Sequence, residues 1–303
     1  MIHLLALLGI VGISFSAVFI RLAAVSPVTA AFYRAAYALP VLLLVWAATR
    51  ANDRRSRRAR LIAVASGVVL AVDLAFWHES IALIGAGLAT VVANVQVVFV
   101  ALAAWVLYRQ RPTARTSSII AIVLGGLALT SGLARHDAYG SAPVRGVVFG
   151  ALAGACYAGF LLMFRASNRS LSPTSGPLLD STIGTVVGAL LVSPFDARFS
   201  LAPFLPAHLW LLLLALVSQV AGWLLIATAL PRLPALETSV LLLVQPVFAL
   251  LWGILFFTER LSTLQWLGTG LVLAGVAAIS VRGREMTVEM VALRRPGAER
   301  LSG

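Results

Sequence analysis

The sequence predicts an all-α integral membrane protein of ten transmembrane helices, arranged as two inverted repeats of five. Composition, segment length and an internal repeat lead to that fold. The 303-residue chain is 60% hydrophobic and 11% charged, where a soluble domain is about 25% charged. Crossing roughly 30 Å of hydrocarbon takes a helix of about 20 apolar residues, and ten such runs follow one another, leaving no room for a sizeable soluble domain.

The first run, 2–21, lacks a basic leader and is long for the core of a signal peptide, so it reads as an uncleaved span. The second, 28–48, carries Arg34 and Tyr37. The third, 61–83, carries Asp73, Trp77, His78 and Glu79, and the fourth, 87–108, carries Asn94 and Gln96. The fifth (117–133) and seventh (177–194, with Asp180 near its start) are short and rich in small residues. The sixth, 145–165, opens on a Gly146-Gly150-Gly154 ladder suited to close helix packing and continues through Cys156 and Tyr157. Gln219 and Trp223 lie in the eighth, 208–230. The ninth, 235–257, has Glu237 at its start and Gln245-Pro246 near its middle, and 264–281 closes the set.

The net charge is +12 and all 23 basic residues are arginines. All but Arg34 sit in the loops and the tail, which points to anionic lipid and topology rather than nucleic acid. With the N-terminus inside, seventeen arginines are cytoplasmic and five (Arg21, Arg135, Arg145, Arg198, Arg260) are outside. Both termini are therefore expected in the cytoplasm, with a bacterial inner membrane as the setting.

The stretch from Gln96, QVVFVALAAWVLYRQRPT, aligns with QPVFALLWGILFFTERLS from Gln245 at an offset of 149, which also places Gly126 on Gly275. ALLG at Ala6 similarly matches ALAG at Ala151. Five spans per copy is an odd number, so the second copy runs inverted. The units expected are 1–143 and 144–282, followed by a cytoplasmic tail, 283–303. Inverted repeats build alternating-access carriers with a midplane substrate site.

Two halves of five helices, the Gln245-Pro-Val-Phe run, the Thr258-Glu-Arg-Leu end and the Gly268/Gly275 spacing together resemble the EamA branch of the drug/metabolite transporter superfamily, over residues 2–282. The hairpin DLAFWHESI…GLATVVANVQVVF resembles one bacterial subset of it. The resemblance implies an inner-membrane carrier, often an exporter of amino acids or related metabolites. Val97 and Gln110 stand where that family commonly has Pro and Glu.

Polar groups in hydrocarbon are costly, roughly 2.5–3.5 kcal/mol for Asp at a helix centre, so their concentration in 73–96 marks a polar cavity. Asp73 and Trp77 share a helix face at i, i+4, and Gln219 and Trp223 repeat the spacing in the second half. Asn94, Gln96, Tyr157 and Gln245 complete the expected substrate-binding set, with amide-mediated helix packing as the plainer reading for Asn94 and Gln96. His78 and Glu79 point about 100° apart on a helix, so one of them is expected in the cavity. An unperturbed histidine titrates in the physiological range, so His78, like Asp73, is a candidate proton carrier. Arg34 needs an acidic partner at its depth: an ion pair with Glu79 or Asp73 is the first expectation, a substrate carboxylate the sharper one.

The partners expected are a small-molecule substrate, amino acids foremost, and membrane lipids, for a chain acting as a monomer. A multidrug or nucleotide-sugar carrier is the alternative, and an intramembrane enzyme built on His78 and Glu79 a remote one. No cofactor or metal is expected. GAGLAT at Gly85 follows no strand and ends on Thr90, HESIA has Ala82 where a zinc motif needs its second His, and no P-loop is present.

Overall fold

A computed structural model describes residues 2–108, 113–131, 138–168, 173–202, 204–229, 233 and 235–293. All regular structure among them is helical. The first half contains α1 (Ile2–Ser14), α2 (Ser16–Ala23), α3 (Pro27–Thr49), α4 (Arg57–Ile84), α5 (Ala86–Ala93), α6 (Gln96–Tyr108) and α7 (Ala114–Thr130). The second contains α8 (Pro143–Ser167), α9 (Ser175–Val192), α10 (Leu205–Leu213), α11 (Trp223–Ala229), α12 (Ala235–Phe257) and α13 (Thr263–Leu293), with a π-helical segment, Leu214–Gly222, joining α10 to α11. Seven stretches are long and apolar enough to cross a membrane, and three shorter apolar helices in α7, α12 and α13 complete ten.

Capping sets several helix starts earlier than the apolar runs imply. Ser56 accepts from the Ala59 N–H, so α4 begins within the arginine cluster, and Thr113 does the same for α7. At the other end, α13 continues through polar residues to Leu293, beyond the expected boundary at 282. That stretch is rich in Arg, Glu and Met, which favour helix, and holds no proline.

Three expected spans are interrupted. The first breaks at Phe15, where the Ser14 hydroxyl bonds back to the Val11 carbonyl at 2.7 Å and receives the Trp252 indole N–H at 2.9 Å. The fourth breaks at Asn94–Val95, whose N–H groups turn to the carbonyls three residues back while the Asn94 amide donates to the Thr90 carbonyl at 2.8 Å. Side-chain bonds of this kind compete with the helical ladder. The eighth carries the π segment. The ninth, the repeat counterpart of the interrupted fourth, stays helical through Pro246 as α12.

The repeat shows as a pseudo-twofold relation in the packing. Gly126 of α7 lies against Val272 of α13, and Gly275 of α13 lies against Val123 of α7. The sequence offset of 149 converts one contact into the other. Elsewhere the halves approach backbone to backbone, with Gly67 of α4 on Ser181 and Gly184 of α9 on Val64. The Gly146-Gly150-Gly154 ladder brings α8 onto Ile84, Val92 and the Ala93 carbonyl.

Polar ties join the halves at both ends of the bundle. At the arginine-rich end, the buried Arg55 binds Asp53 and reaches Asp180 of α9 at 2.9 Å. Asp53 also accepts from the Trp46 indole. At the opposite end Gly85 alone links α4 to α5, with φ 86°. There the Glu259 carboxylate accepts from the Ala86 and Gly87 N–H groups at 2.6 and 3.1 Å and pairs with Arg21 at 2.5 Å.

Candidate functional site

The two halves enclose a cavity of about 80 Å³. One face of α4 supplies Leu70, Asp73, Leu74 and Trp77, the i, i+3, i+4, i+7 stripe of a helix. The helix breaks supply the next residues. Ser16 follows the break at Phe15, while Asn94 and Gln96 flank the one at Val95. Arg34 enters from α3, Tyr157 from α8, Trp223 from α11 and Gln245 from α12. Seven of the nine residues expected at the site thus share one cavity: Asp73, Trp77, Asn94, Gln96, Tyr157, Trp223 and Gln245.

The apolar part of the wall combines Leu70 and Leu74 with three aromatic rings. Tyr157 stacks on Phe160 with centroids 5.5 Å apart, and Trp223 meets Phe160 edge-on at 5.9 Å. The polar part is under-satisfied. The Ser16 hydroxyl, the Trp77 indole N–H and the Gln96 side-chain carbonyl are buried, and none has a hydrogen-bond partner among the described residues. Such atoms cost free energy unless something else meets them. Asp73 is likewise buried without a hydrogen bond among the described residues, with Arg34 as its nearby opposite charge.

The remaining expectations need correction. His78 lies outside the cavity: its Nδ1–H donates to the Pro27 carbonyl at 2.8 Å, which turns the ring toward the start of α3. Glu79 lies 3.8 Å from Arg198, with both side chains partly exposed, and not beside Arg34. Neither member of the His78–Glu79 pair therefore faces the cavity, because the α4 stripe that does so falls on 70, 73, 74 and 77. Gln219 is also absent from the lining; its Oε1 accepts from Arg34 Nε at 2.8 Å. The extra residue of the π segment places Gln219 toward α3 while Trp223 reaches the cavity. Gln110, Arg109, Arg111, Arg135, Arg169 and Arg232 lie outside the described residues, as does the side chain of Glu237.

Arg34 and Ser16 carry much of the site's polarity. Ser16 was silent in the sequence, because a serine in an apolar run gives no sign of a helix break. Arg34 is legible as costly at its depth, and of its two expected acidic partners Asp73 is the nearby opposite charge while Glu79 lies with Arg198.

Two five-helix halves packed around a small cavity that holds Arg34 and Asp73 have the architecture used by membrane carriers. A family model described as the EamA-like transporter family matches residues 1–132 and 144–281. The chain belongs to that family. Over 183 residues it is 31% identical to the "Uncharacterized transporter YwfM" of Bacillus subtilis (strain 168), and the chain spans 60% of that curated relative's length. A protein of known crystal structure, 19% identical, matches with a TM-score of 0.59 over 93% of this chain and 97% of its own, which shows a shared fold.

Proposed function

We propose that the protein is a secondary transporter of the bacterial inner membrane that exports small zwitterionic metabolites, amino acids foremost, by alternating access. One observation carries this reading: a guanidinium and a carboxylate, Arg34 and Asp73, open onto the same small cavity. Arg34 suits a substrate carboxylate and Asp73 an ammonium. Ser16, Trp77 and Gln96 offer two donors and an acceptor to the remaining polar atoms. Trp77, Tyr157 and Trp223 suit an aliphatic or aromatic side chain.

A nucleotide sugar would call for several basic groups, and Arg34 is the one cation lining this cavity. Separation of His78 from Glu79 disfavours an intramembrane enzyme built on that pair. The arginine bias of the loops supports cytoplasmic termini.

Uptake of a solute panel into proteoliposomes, with and without a pH gradient, tests the proposal. Amino acids should be carried and should compete with one another. Transport confined to large cationic drugs or nucleotide sugars would overturn it.

A further inference from the structure

We infer that Gln219 is a positioning residue that makes Arg34 a specific carboxylate receptor, and that its place in a π-helical segment is what allows this. The inference rests on the amino-acid reading above. Arg34 is buried on α3, and its Nε–H donates to Gln219 Oε1 at 2.8 Å. No other hydrogen bond from Arg34 is present among the described residues. With Nε taken, the two terminal nitrogens form the remaining edge of the guanidinium. That edge matches the two oxygens of a carboxylate, a bidentate arrangement stronger and more directional than a single bond.

The chemistry of position 219 matters as much as its place. Only the amide oxygen can accept from Nε–H, so the bond fixes the amide orientation. Being neutral, Gln219 holds Arg34 without cancelling its charge. Asp73 lies within electrostatic reach and would draw an unrestrained guanidinium toward itself, neutralising both substrate handles. Gln219 opposes that collapse.

The π segment is itself held from behind. The Ser218 hydroxyl, adjacent to Gln219, donates to the Gly12 carbonyl of α1 at 2.7 Å. Gly9 and Gly12 lack the Cβ atoms that would press on Gly222 and Val217, so α1 lies directly against the segment. Isolated π turns are uncommon and concentrate at functional sites. Here the segment Leu214–Gly222 presents Gln219 to Arg34 and delivers Trp223, which follows it, to the cavity.

The test uses the purified full chain in detergent, with its melting temperature read against three probes: L-alanine, propionate (alanine without its amine) and ethylamine (alanine without its carboxylate). Ligands that bind the folded state raise the melting temperature by mass action. Wild type should respond to alanine and, more weakly, to each fragment. Gln219→Met should lose the propionate response and weaken alanine by about tenfold or more in apparent Kd, with ethylamine unchanged. A merely structural role would move all three probes together. Gln219→Glu, which keeps an acceptor for Nε, provides the second arm: propionate should be lost while ethylamine binds more tightly, because the site gains a negative charge. Unaltered propionate and alanine responses in both variants would overturn the role of Gln219. A wild-type protein indifferent to alanine would instead overturn the amino-acid reading on which it rests.

Discussion

Glu259, from the second half of the chain, pairs with Arg21 of the first at 2.5 Å. The same carboxylate caps α5, and Arg21 also lies over the Phe257 ring, 4.0 Å from its centroid. Gly85 and Gly253 make room for it, since a Cβ at either position would collide with the carboxylate. Removing the buried Glu259 carboxylate leaves two α5 N–H groups and the part-exposed Arg21 without their partner, at a cost of roughly 1–3 kcal/mol. Glu259→Ala should therefore lower stability by about that much, and Glu259→Gln by less because one oxygen still accepts from α5. Thermal unfolding in detergent measures both; equal stability of wild type and Glu259→Ala would contradict the assignment.

At the arginine-rich end, the Arg55 side chain holds the Asp53 carboxyl down at about 2 against an ordinary 3.8. A depressed folded-state pKa stabilises the fold above the unfolded value. This contribution, on the order of 2 kcal/mol, is present above about pH 5 and lost as pH falls from 3.8 toward 2. Asp53→Asn removes it at neutral pH. The stability gap between wild type and Asp53→Asn should therefore narrow across that acid window, as followed by unfolding at stepped pH.

Helix packing gives a sharper contrast between two glycines. A Cβ on Gly184 would collide with the Val64 carbonyl of α4, whereas one on Gly125 meets nothing within 4 Å. Gly184→Ala should destabilise by about 3 kcal/mol or more, because backbone cannot yield as a side chain does. Gly125→Ala should be neutral or stabilise by up to about 1 kcal/mol through helix propensity. Parallel melts of the two variants check the pair.

His78 and Asp73 lie five residues apart on α4, and the account gives them different fates. His78→Gln should leave the apparent affinity for a transported amino acid within about twofold of wild type, its ring being occupied with Pro27. Asp73→Asn should weaken it by about tenfold or more, since it removes the charge that meets an ammonium. Competition binding with a labelled amino acid separates them, and equal losses would place His78 in the site after all.

Much of this molecule was legible in the sequence, and the physics says which part. Apolar runs long enough for a bilayer mark the ten spans, and the 149-residue offset marks the repeat whose pseudo-twofold relation appears where Gly126 meets Val272 and Gly275 meets Val123. Asp73, Trp77, Gln96 and Gln245 stood out because polar atoms in hydrocarbon need a reason. Interruptions inside an apolar run were not legible. The break at Phe15 and the π segment at Leu214–Gly222 carry tertiary bonds to Trp252 and Gly12, the break at Val95 a local one from Asn94 to the Thr90 carbonyl, and none of them falls at a proline. Those interruptions decide which way Ser16, Asn94 and Gln219 point. The fates of His78 and Glu79 were equally hidden, because Pro27 and Arg198 are distant in the chain.

The most direct test is uptake of labelled L-alanine into proteoliposomes carrying wild type, Arg34→Gln, Asp73→Asn, Trp77→Ala or Gln245→Ala, each first shown to be folded. The account predicts transport by wild type, its near loss in Arg34→Gln and Asp73→Asn, and a raised KM in Trp77→Ala and Gln245→Ala. Wild-type rates in all four variants would show that the cavity between the two halves is not where the substrate binds.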